Sequence, residues 1–88
     1  MKTIDFQILA KLIYHKDKAT YRTWEGFYEK ANRHEKSVDM LFDKLHADEQ
    51  MRKDINECYQ CPYGANKEWN YKGICDRLRA RGYTIVNN

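Results

Sequence analysis

Apolar residues near the N-terminus recur at the spacing of one helix face. Starting from Ile4, this face has apolar residues four, five, eight and nine positions later, and Thr3 precedes them as a candidate N-cap. This pattern predicts a first helix over about residues 4–15. The polar residues 15–20 have no period and predict a connection.

The helical spacing resumes at Trp24 and continues through Ala31, which predicts a second helix with Thr20 or Thr23 as its cap. A third set of apolar residues then shares one helix face: Val38, Leu41, Phe42 and Leu45. The next set is offset from it by one residue: Met51, Ile55, Cys58 and Tyr59. This offset predicts a kink or short turn near residues 47–49.

Residues 27–61 contain neither Gly nor Pro, and two interpretations stay open for them. One is a single helix of about 50 Å at 1.5 Å per residue. The other is two helices that break in the polar run 32–37, with Ser37 capping the second. The mean helix length of about 11–12 residues favours the break. Pro62 and Gly64 end the helical region.

The C-terminal part of the chain predicts one more helix and a strand. Asn70 can cap a helix that continues through Arg81, and Gly82 is suited to the position that ends it. Residues 83–86 are β-prone in composition. Because a lone strand leaves its backbone unpaired, it needs a neighbour, for which residues 68–71 are the nearest candidate. Another subunit or a bound protein is the alternative.

These elements predict a mainly α fold: a single domain over residues 1–88, with three to five helices and room for a short C-terminal β element. An α+β fold is the alternative.

The chain is 42% hydrophobic and 14% aromatic, which is too apolar for a disordered tail, while 33% charged residues exclude a membrane protein. Three cysteines without a recognisable secretion signal indicate a reducing compartment, so we expect a cytoplasmic protein.

Candidate chemistry is sparse. Cys58 and Cys61 form a C-x-x-C pair. A redox thiol is activated by the N-terminus of a helix, however, and Cys58 is predicted at a helix C-terminus. Together with Cys75 and with His46 or His34 as the fourth ligand they would make a zinc site, although a second closely spaced ligand pair is missing. We therefore expect no cofactor, with Cys58 and Cys75 as small buried side chains. Zinc is the alternative.

No catalytic motif occurs in the chain. The three histidines have no Ser, Cys or carboxylate at the spacing of a triad, and neither a zinc-protease nor a phosphate-binding loop motif is present. We therefore expect a protein that is not an enzyme.

Charge is distributed unevenly, with basic ends flanking an acidic middle segment, residues 34–60. Near the C-terminus, aromatic residues interleave with a basic group: Lys72, Arg77, Arg79 and Arg81. Arginines beside aromatic rings can bind phosphates and stack on bases, which makes nucleic-acid binding an alternative function. The arginines could equally complement the acidic segment, within the chain or in a homodimer.

Aromatic residues give a separate indication of function. Seven tyrosines and two tryptophans are more than so small a core can bury with every polar tip satisfied, so some of them are expected at the surface. Exposed aromatics beside charges of both signs are typical of protein interfaces. The candidate partner-binding residues are Tyr21, Tyr28, Asp39, Asp43, Tyr63, Trp69 and Tyr71.

The function expected from these observations is that of a small, non-enzymatic binding protein. It would be an inhibitor or accessory factor, of the kind that phages and mobile elements encode, and would act by binding a larger protein or nucleoprotein partner rather than a membrane. A nucleic-acid-binding module that uses the C-terminal basic helix is the first alternative. A zinc-stabilised adaptor is the second.

Overall fold

Four helices and two short strands make up the part of the chain that the computed structural model describes, residues 2–59 and 67–87 without the side chains of residues 67–70. The elements in chain order are β1 (Lys2–Asp5), α1 (Phe6–Trp24), α2 (Tyr28–Lys44), α3 (Glu49–Cys58), α4 (Lys67–Ala80) and β2 (Tyr83–Val86). The prediction of a mainly α fold with a short C-terminal β element is confirmed.

The first residues form a strand where a helix start was predicted. β1 pairs in parallel with β2, and Ile4 lies opposite Ile85 with its side chain fully buried. Asp5, rather than Thr3, caps α1, because its Oδ1 accepts hydrogen bonds from the backbone N–H groups of Gln7 (2.8 Å) and Ile8 (3.2 Å). The helix predicted from residue 4 was therefore wrong at its start, since Ile4 is buried by pairing with the far end of the chain.

The predicted connection at residues 15–20 was also wrong, because α1 continues to Trp24. The hydroxyls of Thr20 and Thr23 do not cap a second helix. They donate to the carbonyl oxygens one turn earlier in α1, at Lys16 (2.9 Å) and Ala19 (2.8 Å). The chain reverses after Trp24 at Gly26, whose φ of 84° lies in the left-handed region that favours glycine.

α2 crosses the predicted break at residues 32–37 without interruption. Ser37 does not cap a new helix, since its hydroxyl donates to the carbonyl oxygen of Arg33 in the preceding turn (3.2 Å). The break comes later, at residues 45–48, so neither interpretation of residues 27–61 was right. The turn predicted near residues 47–49 is confirmed, and Asp48 caps α3 by accepting from the N–H of Met51 (2.8 Å).

The C-terminal helix was predicted with the correct end and a late start. Gly82, at φ 94°, follows α4 as expected, but the helix begins at Lys67, so Asn70 lies inside it. The predicted pairing of β2 with residues 68–71 was wrong, because those residues are helical and β1 is the neighbour.

The core lies at one end of the long α1–α2 hairpin. Its fully buried side chains come from β1, the first part of α1, α3 and α4: Ile4, Leu9, Leu12, Ile13, Ile55, Ile74 and Leu78. No residue from 20 to 30 is buried. The end of the hairpin therefore extends past the core, and the described residues measure 40 Å along one axis against 27 and 22 Å along the others.

No helix among the described residues combines the length and the apolar content that crossing a membrane requires.

Candidate functional site

The turn between α1 and α2 gathers four aromatic side chains, which we call the hairpin tip: Tyr21, Trp24, Phe27 and Tyr28. Tyr28 is 65% exposed, Trp24 54% and Phe27 48%. Tyr21 is half-buried and packs edge-on against Trp24, with ring centroids 5.6 Å apart. α1 ends at Trp24 and α2 begins at Tyr28, so all four residues lie at the same end of the hairpin.

Charged side chains of both signs surround the hairpin tip. The Lys30 ammonium lies 5.1 Å from the centre of the Phe27 ring, and Arg22 pairs with Glu25 at 3.1 Å. Clusters of exposed aromatic side chains with a charged border are typical of protein-binding surfaces. The hairpin tip has this composition.

A groove of about 470 Å³ adjoins the hairpin tip and is bounded by α1, α2 and the end of α3. The buried side chains of Ala19, Val38 and Phe42 contribute apolar lining, and Trp24 belongs to both the groove and the hairpin tip. The remaining lining residues are Lys16, Thr20, Thr23, Glu35, Asp39, Asn56 and Tyr59. The exposed lining is mainly polar with smaller apolar areas, which suits a polar or charged side chain of a protein partner.

Contacts with α3 hold Lys16 within the groove. Its ammonium donates to Oδ1 of Asn56 (2.7 Å) and lies 4.9 Å from the centre of the Tyr59 ring. Burial lowers the pKa of Lys16, against the opposing attraction of Asp17 and Glu35. The Tyr59 hydroxyl donates to the buried carboxylate of Asp17, so this end of the groove is tied to α1.

A pair of histidines joins α1 to α2. The Nδ1 atoms of His15 and His34 are 2.9 Å apart, so one ring donates its N–H and the other accepts. Tyr14 packs edge-on against His15, with ring centroids 5.2 Å apart. Burial lowers the pKa of His15, and the charge of His34 lowers it further. The sequence carried no signal for this pair, because residue 15 was placed in a connection.

The structure brings together some of the predicted partner-binding residues and separates others. Tyr21 and Tyr28 lie at the hairpin tip and Asp39 lines the groove, whereas Asp43 forms an ion pair with Arg52 (2.8 Å). Tyr71 lies on α4, half-buried, and burial raises its pKa. Tyr63 and the Trp69 side chain lie outside the described residues.

Trp24 and Phe27 are the surface residues that sequence reasoning missed. Their helical spacing with Ala31 predicted one buried face, but Trp24 ends α1, Phe27 lies in the turn, and both are about half exposed. Gly26 between them was the signal that could have located the turn.

The C-terminal arginines are engaged within the chain. The Arg77 guanidinium donates to the carbonyl oxygen of Cys58 (2.7 Å), and Arg79 pairs with Asp76 (3.3 Å) on the surface. Arg81 contacts two acidic residues of α3, Asp54 and Glu57, at 2.8 Å each, while Lys72 is exposed. Arg81 thus complements the acidic segment, which leaves less of the basic helix to bind phosphates.

Asp54 links α3 to β2 as well. Besides Arg81, it accepts hydrogen bonds from the Tyr83 hydroxyl (2.5 Å) and from the side-chain amide of Gln50 (3.0 Å). These contacts hold the pKa of the Asp54 carboxyl below its ordinary value, with the Tyr83 hydrogen bond as the largest cause. Asp54 therefore has a structural role that joins three elements.

The two described cysteines are buried and have no disulfide partner. Burial raises the pKa of the thiols of Cys58 and Cys75, which makes both poor nucleophiles at neutral pH. His46 is exposed and Cys61 lies outside the described residues. Among residues 2–59 and 67–87, the side chains of 67–70 aside, no group of three or more His, Cys, Asp or Glu is placed to hold a metal ion.

Comparisons with known proteins assign no family to the chain. No protein-family model matches the chain, and the searches of curated proteins and of solved structures gave no significant match. What the protein does is therefore inferred from its own residues, above all from the hairpin tip and the adjoining groove.

Proposed function

We propose that the chain is a non-enzymatic binding protein that docks on a larger protein through the hairpin tip and the groove beside it. One observation carries this proposal: a single turn gathers Trp24, Phe27 and Tyr28, each about half exposed or more. Aromatic side chains of this kind are the common anchors of protein interfaces.

The exposed rings are large enough to contribute most of a stable contact. Full burial of one large apolar side chain contributes roughly 1.5–3 kcal/mol. Because these three are already half covered, completing their burial contributes about 1 kcal/mol each. The resulting total of about 3 kcal/mol corresponds to an affinity change of about a hundredfold.

The groove adds specificity to this contact. Glu35 and Asp39 lie one turn apart on α2 and both line the groove, so a partner side chain entering beside Trp24 meets two carboxylates in a mainly polar lining. This arrangement suits a partner segment that presents an apolar residue beside a basic one.

An inhibitor or accessory factor, of the kind that phages and mobile elements encode, is the form of binding protein that we propose. Docking over a partner surface needs no catalytic group on this chain. The nucleic-acid alternative has weaker support, because Arg77, Arg79 and Arg81 each have an acceptor within the chain.

The test is capture of partners by the tagged full chain from lysate with and without nuclease treatment, followed by mass spectrometry. Wild type is compared with Trp24→Ala combined with Phe27→Ala, and with Met40→Ala as the matched control. Met40 is 64% exposed but lies about 18 Å along α2 from Tyr28.

We expect a partner that wild type and the Met40 variant capture and the hairpin-tip variant loses. Its measured affinity should fall about thirtyfold, because two side chains worth about 1 kcal/mol each are removed. The capture should persist in high salt, because aromatic burial is not screened by ions. The proposal fails if the hairpin-tip variant captures the same proteins as wild type. It also fails if nuclease or moderate salt abolishes the capture, which would favour nucleic acid.

A further inference from the structure

β2 has an edge that no described element covers. Its neighbour in the sheet is β1, and the backbones of Tyr83, Ile85 and Val86 form no hydrogen bond to any other described element. A strand in a two-stranded sheet directs alternate N–H and C=O groups away from its neighbour. Such groups can pair with an added strand.

The two strands differ in how their edges are protected. Natural edge strands avoid unwanted pairing by carrying charged residues or proline. β1 carries Lys2 and Asp5, whereas β2 consists of Tyr, Thr, Ile and Val and carries neither a charge nor a proline. β2 is thus the edge better suited to accept a further strand.

A cavity of about 480 Å³ adjoins β2. Its apolar wall is formed by Phe6 at the start of α1, by Tyr71 and Cys75 of α4, and by Ile85 of β2. The volume is within the range of ligand-binding pockets, about 300–1,000 Å³. In strand addition, a cavity beside the edge accepts an alternate side chain of the incoming peptide and thereby provides specificity.

The charge around this cavity identifies the chemistry of the occupant. Lys72 and Arg79 are among its lining residues, and none of the described lining residues is acidic. Lys72 has no ion pair among the described residues, and Arg79 contacts Asp76 in an exposed pair of small energy. Pairing of β2 with β2 of a second copy would bring two such cationic groups close together, which is unfavourable. An acidic segment is complementary.

We propose that β2 and this cavity bind an extended, acidic segment of a partner protein, which adds to the sheet as a third strand and inserts an apolar side chain between Phe6 and Tyr71. Its carboxylates lie against Lys72 and Arg79. This surface is separate from the hairpin tip, because α1 extends about 28 Å between them. The chain would then contact its partners at both ends.

The experiment is selection of a phage-displayed library of random ten-residue peptides on the full chain. We expect enrichment of peptides that place one large apolar residue among Asp and Glu. Binding should weaken about tenfold for the double variant Lys72→Gln with Arg79→Gln, because two ion pairs are lost. The matched control, Arg33→Gln with Lys36→Gln, makes the same change of net charge on the exposed part of α2 and should bind like wild type.

A second measurement tests the strand edge. Selected peptides that are N-methylated at alternate residues should lose binding in one of the two registers, since methylation removes the backbone donors. The proposal is overturned if no peptide is enriched, if the selected peptides bind the double variant equally well, or if methylation in either register has no effect. A concentration-dependent dimer that competes with the peptides would overturn it too, by assigning the edge to a second copy. Trp24→Ala should leave peptide binding unchanged, so this proposal and that for the hairpin tip fail separately.

Discussion

Acidification should weaken the contact between α1 and α2, because it protonates His15 in the histidine pair that joins them. At neutral pH one N–H lies between the Nδ1 atoms of His15 and His34, 2.9 Å apart. Burial and the charge of His34 hold the pKa of His15 below its ordinary value. The unfolded chain therefore binds this proton more readily than the folded one, and stability is lost as the pH falls below the ordinary histidine pKa of about 6.5.

The size of the effect follows from the geometry. Two positive rings with centroids 5.1 Å apart repel by about 3 kcal/mol at an effective dielectric constant of 20, and by about 0.8 kcal/mol in water. Both rings are half-buried, so we take a repulsion energy between these two limits, about 1–2 kcal/mol. Linkage limits the whole effect, because one group with an unfolded pKa of about 6.5 changes the free energy of unfolding by at most about 2 kcal/mol down to pH 5.

The assay is urea unfolding at pH 8, 7, 6 and 5 for wild type and for His34→Gln, which cannot take the second charge. We expect wild type to lose about 1 kcal/mol more than the variant over this range, because the burial of His15 acts in both proteins and only the contribution of His34 is removed. His46→Asn is the matched control. His46 is exposed with φ 53°, a conformation that asparagine tolerates, and this variant should follow wild type. Parallel pH curves for wild type and His34→Gln would refute the reasoning.

Three further predictions concern stability. Tyr83→Phe removes the hydroxyl that donates to Asp54 and should cost about 1 kcal/mol in urea unfolding, whereas Tyr28→Phe, at an exposed position, should cost nothing measurable. Gly26→Ala forces a side chain into a left-handed turn at φ 84° and should lower the free energy of unfolding by about 1 kcal/mol, with no steric clash involved. Treatment with EDTA should leave the melting temperature unchanged; stoichiometric zinc whose removal lowers it would instead support the zinc-stabilised adaptor.

Elements with local signals were predictable. The turn before α3 follows from the offset of two apolar sets, and its cap, Asp48, binds a backbone N–H three residues later. The end of α4 follows from Gly82, because few other residues adopt φ 94° without strain. Each of these signals acts within one or two helical turns, so the sequence alone contains the cause.

Elements that depend on distant contacts were not predictable in the same way. Ile4 fits a helix face in the sequence, yet it forms a strand because β2 supplies its hydrogen-bond partners from the other end of the chain. The polar run in α2 resembled a break, but a helix needs only one buried face, and His34 lies on that face against α1. Local pattern cannot distinguish a solvated helix surface from a connection.

The candidate site shows the same division. Composition alone determined that some tyrosines must reach the surface, because a small core cannot satisfy so many hydroxyls, and Tyr28 is 65% exposed. Tertiary structure decided which aromatic residues meet. Trp24 and Phe27 have the spacing of core residues, but α1 and α2 extend beyond the sheet, α3 and α4, so nothing described remains to bury them fully. Burial depends on which elements pack against a residue, and that depends on the whole fold.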